Sequence, residues 1–180
     1  MTEARPFVPV KLICGVIAGA EAVFATAEKE LVIEFGPMDF SSNTFPFDLT
    51  EYYAKQMGGA QQRKFHSFER LIQPDDLSEI KLRTNRMEEE VRDRFEAESR
   101  IINLDPGCLS GASLVMGTAK AFAHRIPLRG GIYGHLELLL GKDAIQILEW
   151  TYPDFKSPRY HPWLCKVRQR YLDQLRSLNS

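Results

Sequence analysis

Tyr133, His135 and Glu137 alternate with apolar residues in the run Ile132–Leu140. In an extended strand, a period of two puts all three on one face. Gly141-Lys142 reads as a two-residue turn with Gly first, as a type II′ turn requires. That turn sets Trp150 opposite Tyr133, Leu148 opposite His135 and Gln146 opposite Glu137, and leaves Ile132, Leu136, Leu138 and Leu140 on the apolar side. A turn at Arg129-Gly130 likewise opposes His124 to His135. One face then carries imidazole, carboxylate, phenol and indole. A carboxylate among imidazoles can do general acid–base work, with Glu137 or Asp105 as base and His124 and Arg125 as charge partners. The same groups equally suit the binding of a polar small molecule, or an aromatic patch beneath a helix.

Two further segments add to this face. In the strand Arg100–Asp105, Asn103 and Asp105 face away from Ile102 and Leu104, and Pro106-Gly107 then turns the chain. Thr151-Tyr152-Pro153-Asp154 follows Trp150 directly. The candidate ligand-binding set is therefore Asn103, Asp105, His124, Arg125, Tyr133, Glu137, Trp150, Tyr152 and Asp154. Lys81 and Asn85, one helical turn apart, are placed to donate to an anion at the sheet edge or to a carbonyl. His135-x-Glu137 is half a metal site without a third ligand, so no metal is assigned. No catalytic residue and no cofactor is assigned.

The elements that hold these residues follow from periodicity. Lys11–Ala18 is a near-continuous apolar run, as in a strand buried on both faces. Val23, Ala27, Leu31 and Phe35 mark a helix over 21–35, closed by Gly36-Pro37. Phe40–Phe47 is extended, and a short helix through Tyr52, Tyr53 and Met57 closes at Gly58-Gly59. Lys64–Ile72 is a strand. Asp76 and Glu79 form a capping box for a helix whose stripe is Leu77, Ile80, Thr84, Met87, Val91 and Phe95. Strands follow at 100–105, 112–120, 122–128, 132–140 and 144–150, the last three as an antiparallel meander, and Pro162 opens a terminal helix. The expected fold is α+β: a ferredoxin-like βαββαβ core extended by an antiparallel β-meander and a C-terminal helix, in a single domain over 1–180.

Composition narrows the function. The 180 residues carry 23 Lys+Arg and 24 Asp+Glu, a net charge of -1, with 44% hydrophobic residues. That balance is ordinary for a globular protein and gives no strong nucleic-acid signal. No apolar run reaches the roughly 18 residues of a spanning helix, and the N-terminus lacks a signal-peptide pattern, so a cytoplasmic location is expected. Cys14, Cys108 and Cys165 form no Cys-x-x-Cys pair and read as buried free thiols. There is no phosphate-binding Gly-rich loop, no Asn-Lys-x-Asp, no pair of His-x-Ser/Thr motifs and no Gly-x-Ser-x-Gly.

Several segments together resemble an uncharacterised prokaryotic domain-of-unknown-function family: Phe35-Gly-Pro-Met-Asp39, Phe47-Asp-Leu-Thr-Glu-Tyr-Tyr53, Lys64-Phe-His-Ser-Phe-Glu69, Ile80-Lys-Leu-Arg-Thr-Asn85, Asn103-Leu-Asp-Pro-Gly107, His124-Arg-Ile126, Gly131-Ile-Tyr133 and Trp150-Thr-Tyr-Pro-Asp-Phe155. The resemblance runs from Val10 to Tyr171. It implies no activity, cofactor or catalytic residue. Some members carry a "GTP-binding protein" label, which the absent motifs here do not support. Gln56 stands where the family pattern has Glu. The expected function is binding of a polar small molecule or anion on the meander's polar face. The alternative is a non-enzymatic protein- or RNA-interaction module using the basic C-terminal helix and the Trp150–Phe155 aromatic segment. Oligomeric state and catalysis stay open at this point.

Overall fold

The structure is a computed structural model that describes residues 3–48, 57, 60–142 and 144–178. In chain order its elements are β1 (Val10–Ala18), α1 (Glu21–Phe35), β2 (Met38–Ser41), β3 (Phe45–Pro46), β4 (Gln62–Ile72), α2 (Leu77–Arg94), β5 (Ile102–Leu109), β6 (Ser113–Thr118), β7 (Ile126–Pro127), β8 (Tyr133–Leu140), β9 (Ile145–Ile147) and α3 (His161–Leu178). The fold is α+β. One sheet runs β2-β4-β1-β5-β6-β8-β7, with β3 beside β4 and β9 beside β8. The helix expected over 52–57 lies outside the described residues. No helix among the described residues is long and apolar enough to cross a membrane.

β1 is buried along its whole length and organises the sheet, with β4 on one edge and β5 on the other. Its alternate residues feed two cores. Leu12, Cys14, Val16 and Ala18 pack with Val23, Phe24, Ala27 and Leu31 of α1 and with Leu77, Ile80, Met87 and Val91 of α2. Ile13, on the opposite face, packs with Phe65, Leu138, Phe155 and with Trp163, Leu164 and Val167 of α3. The sheet is thus sandwiched between α1 and α2 on one side and α3 on the other, and each helix's apolar stripe is removed from water.

Local chemistry explains the element ends. α1 spans the expected residues and stops at Gly36, whose φ of 91° is open to glycine and whose N–H reaches Val32 O. The capping box before α2 lies one turn earlier than expected. Gln73 N–H donates to Asp76 Oδ2 at 3.1 Å around a 3-10 turn, Pro74–Asp76. Pro74 starts that turn rather than preceding the helix itself. Cys14 and Cys108 are buried, but Cys165 is exposed, correcting the expectation of three buried thiols. It sits off the buried α3 stripe of Trp163, Leu164, Val167 and Tyr171.

Four differences from the expected elements shape the site. β5 does not turn at Pro106-Gly107; it continues to Leu109, with Pro106 paired to Cys14. β6 joins only from Gly107 onward, so Pro106 sits where that ladder ends and its missing donor is tolerated. β7 and β9 are short strands on one edge of β8, not full meander members. The loop after β8 sets Leu140 opposite Ile145 and Leu138 opposite Ile147, a register two residues away from that of a two-residue turn. Finally, the β6–β8 register slips between Leu114↔Leu138 and Val115↔Leu136. Glu137 is the extra residue of this bulge, so strict alternation fails there. His135 shares the face of Met116 and Leu138 that of Leu114, while Leu136 is only half-buried.

His66 on β4 gives the fold an acid-sensitive element. Its ring is buried beneath α1, with Nδ1 2.8 Å from Ser41 Oγ and Nε2 3.3 Å from Glu28 Oε1. Burial, opposed by Glu28, pushes its pKa down to about 4 from the ordinary 6.5. A depressed folded-state pKa contributes stability above the unfolded pKa and loses it as pH falls toward the folded one. Acidification from pH 6.5 to 4 is therefore expected to remove on the order of 2–3 kcal/mol through this one group. Urea melts of His66→Gln should show that much less acid dependence over the window. Identical pH slopes in the variant and the parent would show that His66 is not the titrating group.

Candidate functional site

β5 and β6 hydrogen-bond only through Gly107–Leu109 and Leu114–Met116, then diverge. The edge of β5 that loses its neighbour is satisfied by long side chains. Lys81 of α2 donates its Nζ to Leu104 O at 2.7 Å, and Glu88 Oε1 accepts the Leu104 N–H at 2.7 Å. Arg100 Nε donates to Ile102 O at 2.9 Å. These three stand in for a strand, satisfying the Leu104 N–H and C=O and the Ile102 C=O at the open edge. Gly117 contributes on the β6 side. A Cβ there would sit 3.2 Å from Lys81 Cβ and 3.3 Å from Leu77 Cδ1, so glycine lets α2 come close.

The wedge encloses a cavity of about 290 Å³. Four cationic side chains line it (Arg63, Lys81, Arg100 and Lys120) against two carboxylates, Asp105 and Asp154. Phe47, Met116 and Pro153 supply apolar wall, while Asn85, Asn103, Thr118 and Tyr152 supply hydrogen-bonding groups. Asn103 is 2% exposed. Its Oδ1 accepts from Arg100 Nη2, and its Nδ2 is buried with no hydrogen-bond partner among the described residues. Burial pushes the Glu88 carboxyl up, opposed by Lys81 and Arg100.

Arg63 of β4 is the cavity's anchor. Nη1 bonds Asp154 Oδ2, and Nη2 bonds Asp105 Oδ2 at 3.0 Å. Its guanidinium lies 4.8 Å from the Phe65 ring centroid and 4.9 Å from that of Phe155. To cross from β4 to β5 it must pass over β1, and it does so above Gly15. A Cβ on Gly15 would stand 2.9 Å from Arg63 Nη2.

Seven of the nine expected site residues divide into two connected groups. Asn103, Asp105, Tyr152 and Asp154 line the cavity. His124, Arg125 and Glu137 form a network behind Tyr152. Arg125 Nη2 donates to Tyr152 Oη at 3.0 Å, and Arg125 Nε donates to His135 Nδ1 at 3.1 Å. His135 Nε2 lies 3.1 Å from Glu137 Oε2, and Glu137 Oε1 accepts the Tyr152 N–H at 2.7 Å. His135 stacks on Tyr152 with centroids 4.6 Å apart. Burial raises the Glu137 carboxyl, while His135 and the Tyr152 N–H oppose that rise. The Tyr152 phenol is pushed up to about 12, chiefly by burial. Trp150 donates Nε1 to Leu136 O and stacks on His124 at the surface. Tyr133 is half-buried on β8 opposite Thr118 and Pro127.

The expected cross-strand face is therefore not a solvent-facing platform. His135 and Glu137 are fully buried, and the segment after β9 folds over them. Thr151 Oγ1 donates to Glu137 O, Tyr152 N–H to its carboxylate, and Asp154 reaches Arg63. The same segment carries Tyr152 and Asp154 from this buried network to the wedge. Lys81 and Asn85, expected to donate to an anion or to a carbonyl, both line the cavity, and Lys81 donates to the Leu104 carbonyl. Arg63, Arg100 and Lys120 were missing from the sequence reading. The available signal was Gly15: a glycine inside an apolar central strand marks a close approach by another group. Among the described residues, no cluster of three or more His, Cys, Asp or Glu could hold a metal.

Residues 8–171 match the family model described as a domain of unknown function (DUF4416). No curated protein and no solved structure matches the chain.

Proposed function

The chain belongs to the DUF4416 family, and we propose that its β5–β6 cleft binds a small anionic molecule. The observation that carries this reading is Asn103, whose buried amide donor has no partner in the lining of a cavity with four cations and two carboxylates. An unsatisfied buried donor costs roughly 1–3 kcal/mol. A ligand oxygen seated in the cleft relieves that cost, and with Glu88 paired to Arg100 the four cations still outnumber three carboxylates, a balance that favours an anion.

The interaction-module alternative has less support. Of its aromatic segment, Phe155 is buried in the core and Tyr152 turns into the network. The basic side chains of α3 are engaged locally: Lys166 lies over the Phe40 ring, Arg168 donates to Gly111 O and Arg176 pairs with Asp173.

Calorimetry with inorganic phosphate and sulfate tests the proposal. Saturable binding is expected in the parent, about tenfold weaker in Asn103→Ala, as for loss of one hydrogen bond to a charged group. Lys120→Gln, at an exposed lining position, should weaken binding without changing the urea midpoint. Absence of saturable binding of either anion at millimolar concentration would sink the reading.

A further inference from the structure

The cleft's carboxylates ask for more than an anion. Asp154 is spent on Arg63, with 5% of its side chain exposed. Asp105 is different. Its Oδ2 also accepts from Arg63, yet 23% of its side chain remains exposed and it lines the cavity. A carboxylate in such a position repels a bare anion and rewards a hydrogen-bond donor. The buried Asn103 amide stands two residues away on the same face of β5, with Lys81 and Arg100 in the same lining. The lining thus sets donors and an acceptor side by side.

We infer that the cleft takes a phosphate monoester that also bears hydroxyl groups, of the size and polarity of a small polyol or sugar phosphate. This rests on the anion reading above. The phosphoryl oxygens meet Asn103 Nδ2 and the cationic part of the lining, whose four cations outnumber Asp105, Asp154 and the Arg100-bound Glu88. The hydroxyls donate to Asp105. Thr118 can serve a hydroxyl as either donor or acceptor. The cavity of about 290 Å³ lies at the lower end of ligand pockets, which suits a ligand of this size.

Four probes separate the parts: methyl phosphate, glycerol 3-phosphate, phosphoethanolamine and glycerol, each titrated by calorimetry into the full chain and into Asp105→Asn. In the parent, glycerol 3-phosphate should bind about tenfold more tightly than methyl phosphate, the worth of one charge-assisted hydrogen bond. Glycerol alone should not bind measurably. Asp105→Asn keeps the shape and leaves Arg63 paired with Asp154, so the fold is retained and its urea midpoint checks this. In that variant, methyl phosphate should bind more tightly, because a negative charge has gone, and the preference for glycerol 3-phosphate should fall to about twofold or less. Equal affinities of methyl phosphate and glycerol 3-phosphate in the parent would overturn this inference while leaving the anion site standing. Tightest binding by phosphoethanolamine would overturn the hydroxyl assignment in favour of an ammonium donor. No binding by any phosphate would overturn both.

Discussion

Replacing Arg63 by Met is expected to cost about 3–5 kcal/mol, read as a lowered urea midpoint. The magnitude follows from what is left behind rather than from the pair itself. Arg63 is 2% exposed, and its guanidinium bonds Asp154 and Asp105 at once. Methionine fills the volume among Phe65 and Phe155 and keeps the apolar contacts. It leaves the Asp154 carboxylate, itself 3% exposed, without its counter-charge. A buried ion pair compared with a well-packed apolar substitute is often near neutral, whereas a half-removed pair is strongly destabilising. Arg63→Met combined with Asp154→Asn should therefore recover a large part of the loss. Arg63→Lys should fall between, since one ammonium cannot fork to two carboxylates as a guanidinium does. Gly15→Ala should act in the same direction, because its Cβ would press on Arg63 Nη2 from β1. An Arg63→Met midpoint equal to the parent's would mean that Asp154 finds another partner and that the cleft has no central anchor.

Legibility in the sequence tracked how local the determining physics was. β1 and α1 were readable because burial on two faces and a one-stripe helix leave direct periodic signatures, and Gly36-Pro37 punctuates the second. Pro106-Gly107 misled because the same dipeptide that makes a turn also suits the place where a strand loses a neighbour. Only the sheet order decides between the two. The bulge at Glu137 left no local mark, since Gly-His-Leu-Glu-Leu alternates well enough to read as regular. Its consequence is large: the apolar face expected to include Leu136 does not, and Leu136 is only half-buried. The candidate site was legible by residue type. Asn103, Asp105, Tyr152, Asp154, Lys81 and Asn85 all reach one cavity. Its location was not legible, because the cavity exists only where β5 and β6 part, a relation between strands that no window of sequence contains. Arg63 and Arg100 were unremarkable as surface-type residues until the fold buried one and aimed the other at Asn103.

Glu137→Gln is expected to destabilise by about 3 kcal/mol, and the reason is which polar groups face the carboxylate. The bulge aims the Glu137 carboxylate inward, fully buried, where Oε1 accepts the Tyr152 backbone N–H at 2.7 Å. Oε2 lies 3.1 Å from His135 Nε2, an ion-pair distance without hydrogen-bond alignment. An arginine can only donate, so the Arg125 Nε bond at 3.1 Å requires a lone pair on His135 Nδ1, which puts the proton of a neutral ring on Nε2, beside Oε2. A Gln that keeps its carbonyl on the Tyr152 N–H turns its NH2 toward that Nε2–H, and the reverse orientation sets the NH2 against the Tyr152 N–H. The substitution also removes the negative charge that faces buried Arg125 through the imidazole. From sequence alone, on an exposed polar face, the same change looks neutral or even stabilising. The bulge and the overlying segment reverse the sign. Urea melts of Glu137→Gln beside Leu138→Ala give the comparison, the second being an ordinary truncation in the α3-side core at about 2–5 kcal/mol. Because Tyr152 and Asp154 belong to the segment that Glu137 holds, the Gln variant should also weaken phosphate binding in the cleft. Leu138→Ala, away from the cavity lining, should not. A Glu137→Gln protein with the parent's midpoint and the parent's phosphate affinity would show that the network neither supports the fold nor positions the cleft.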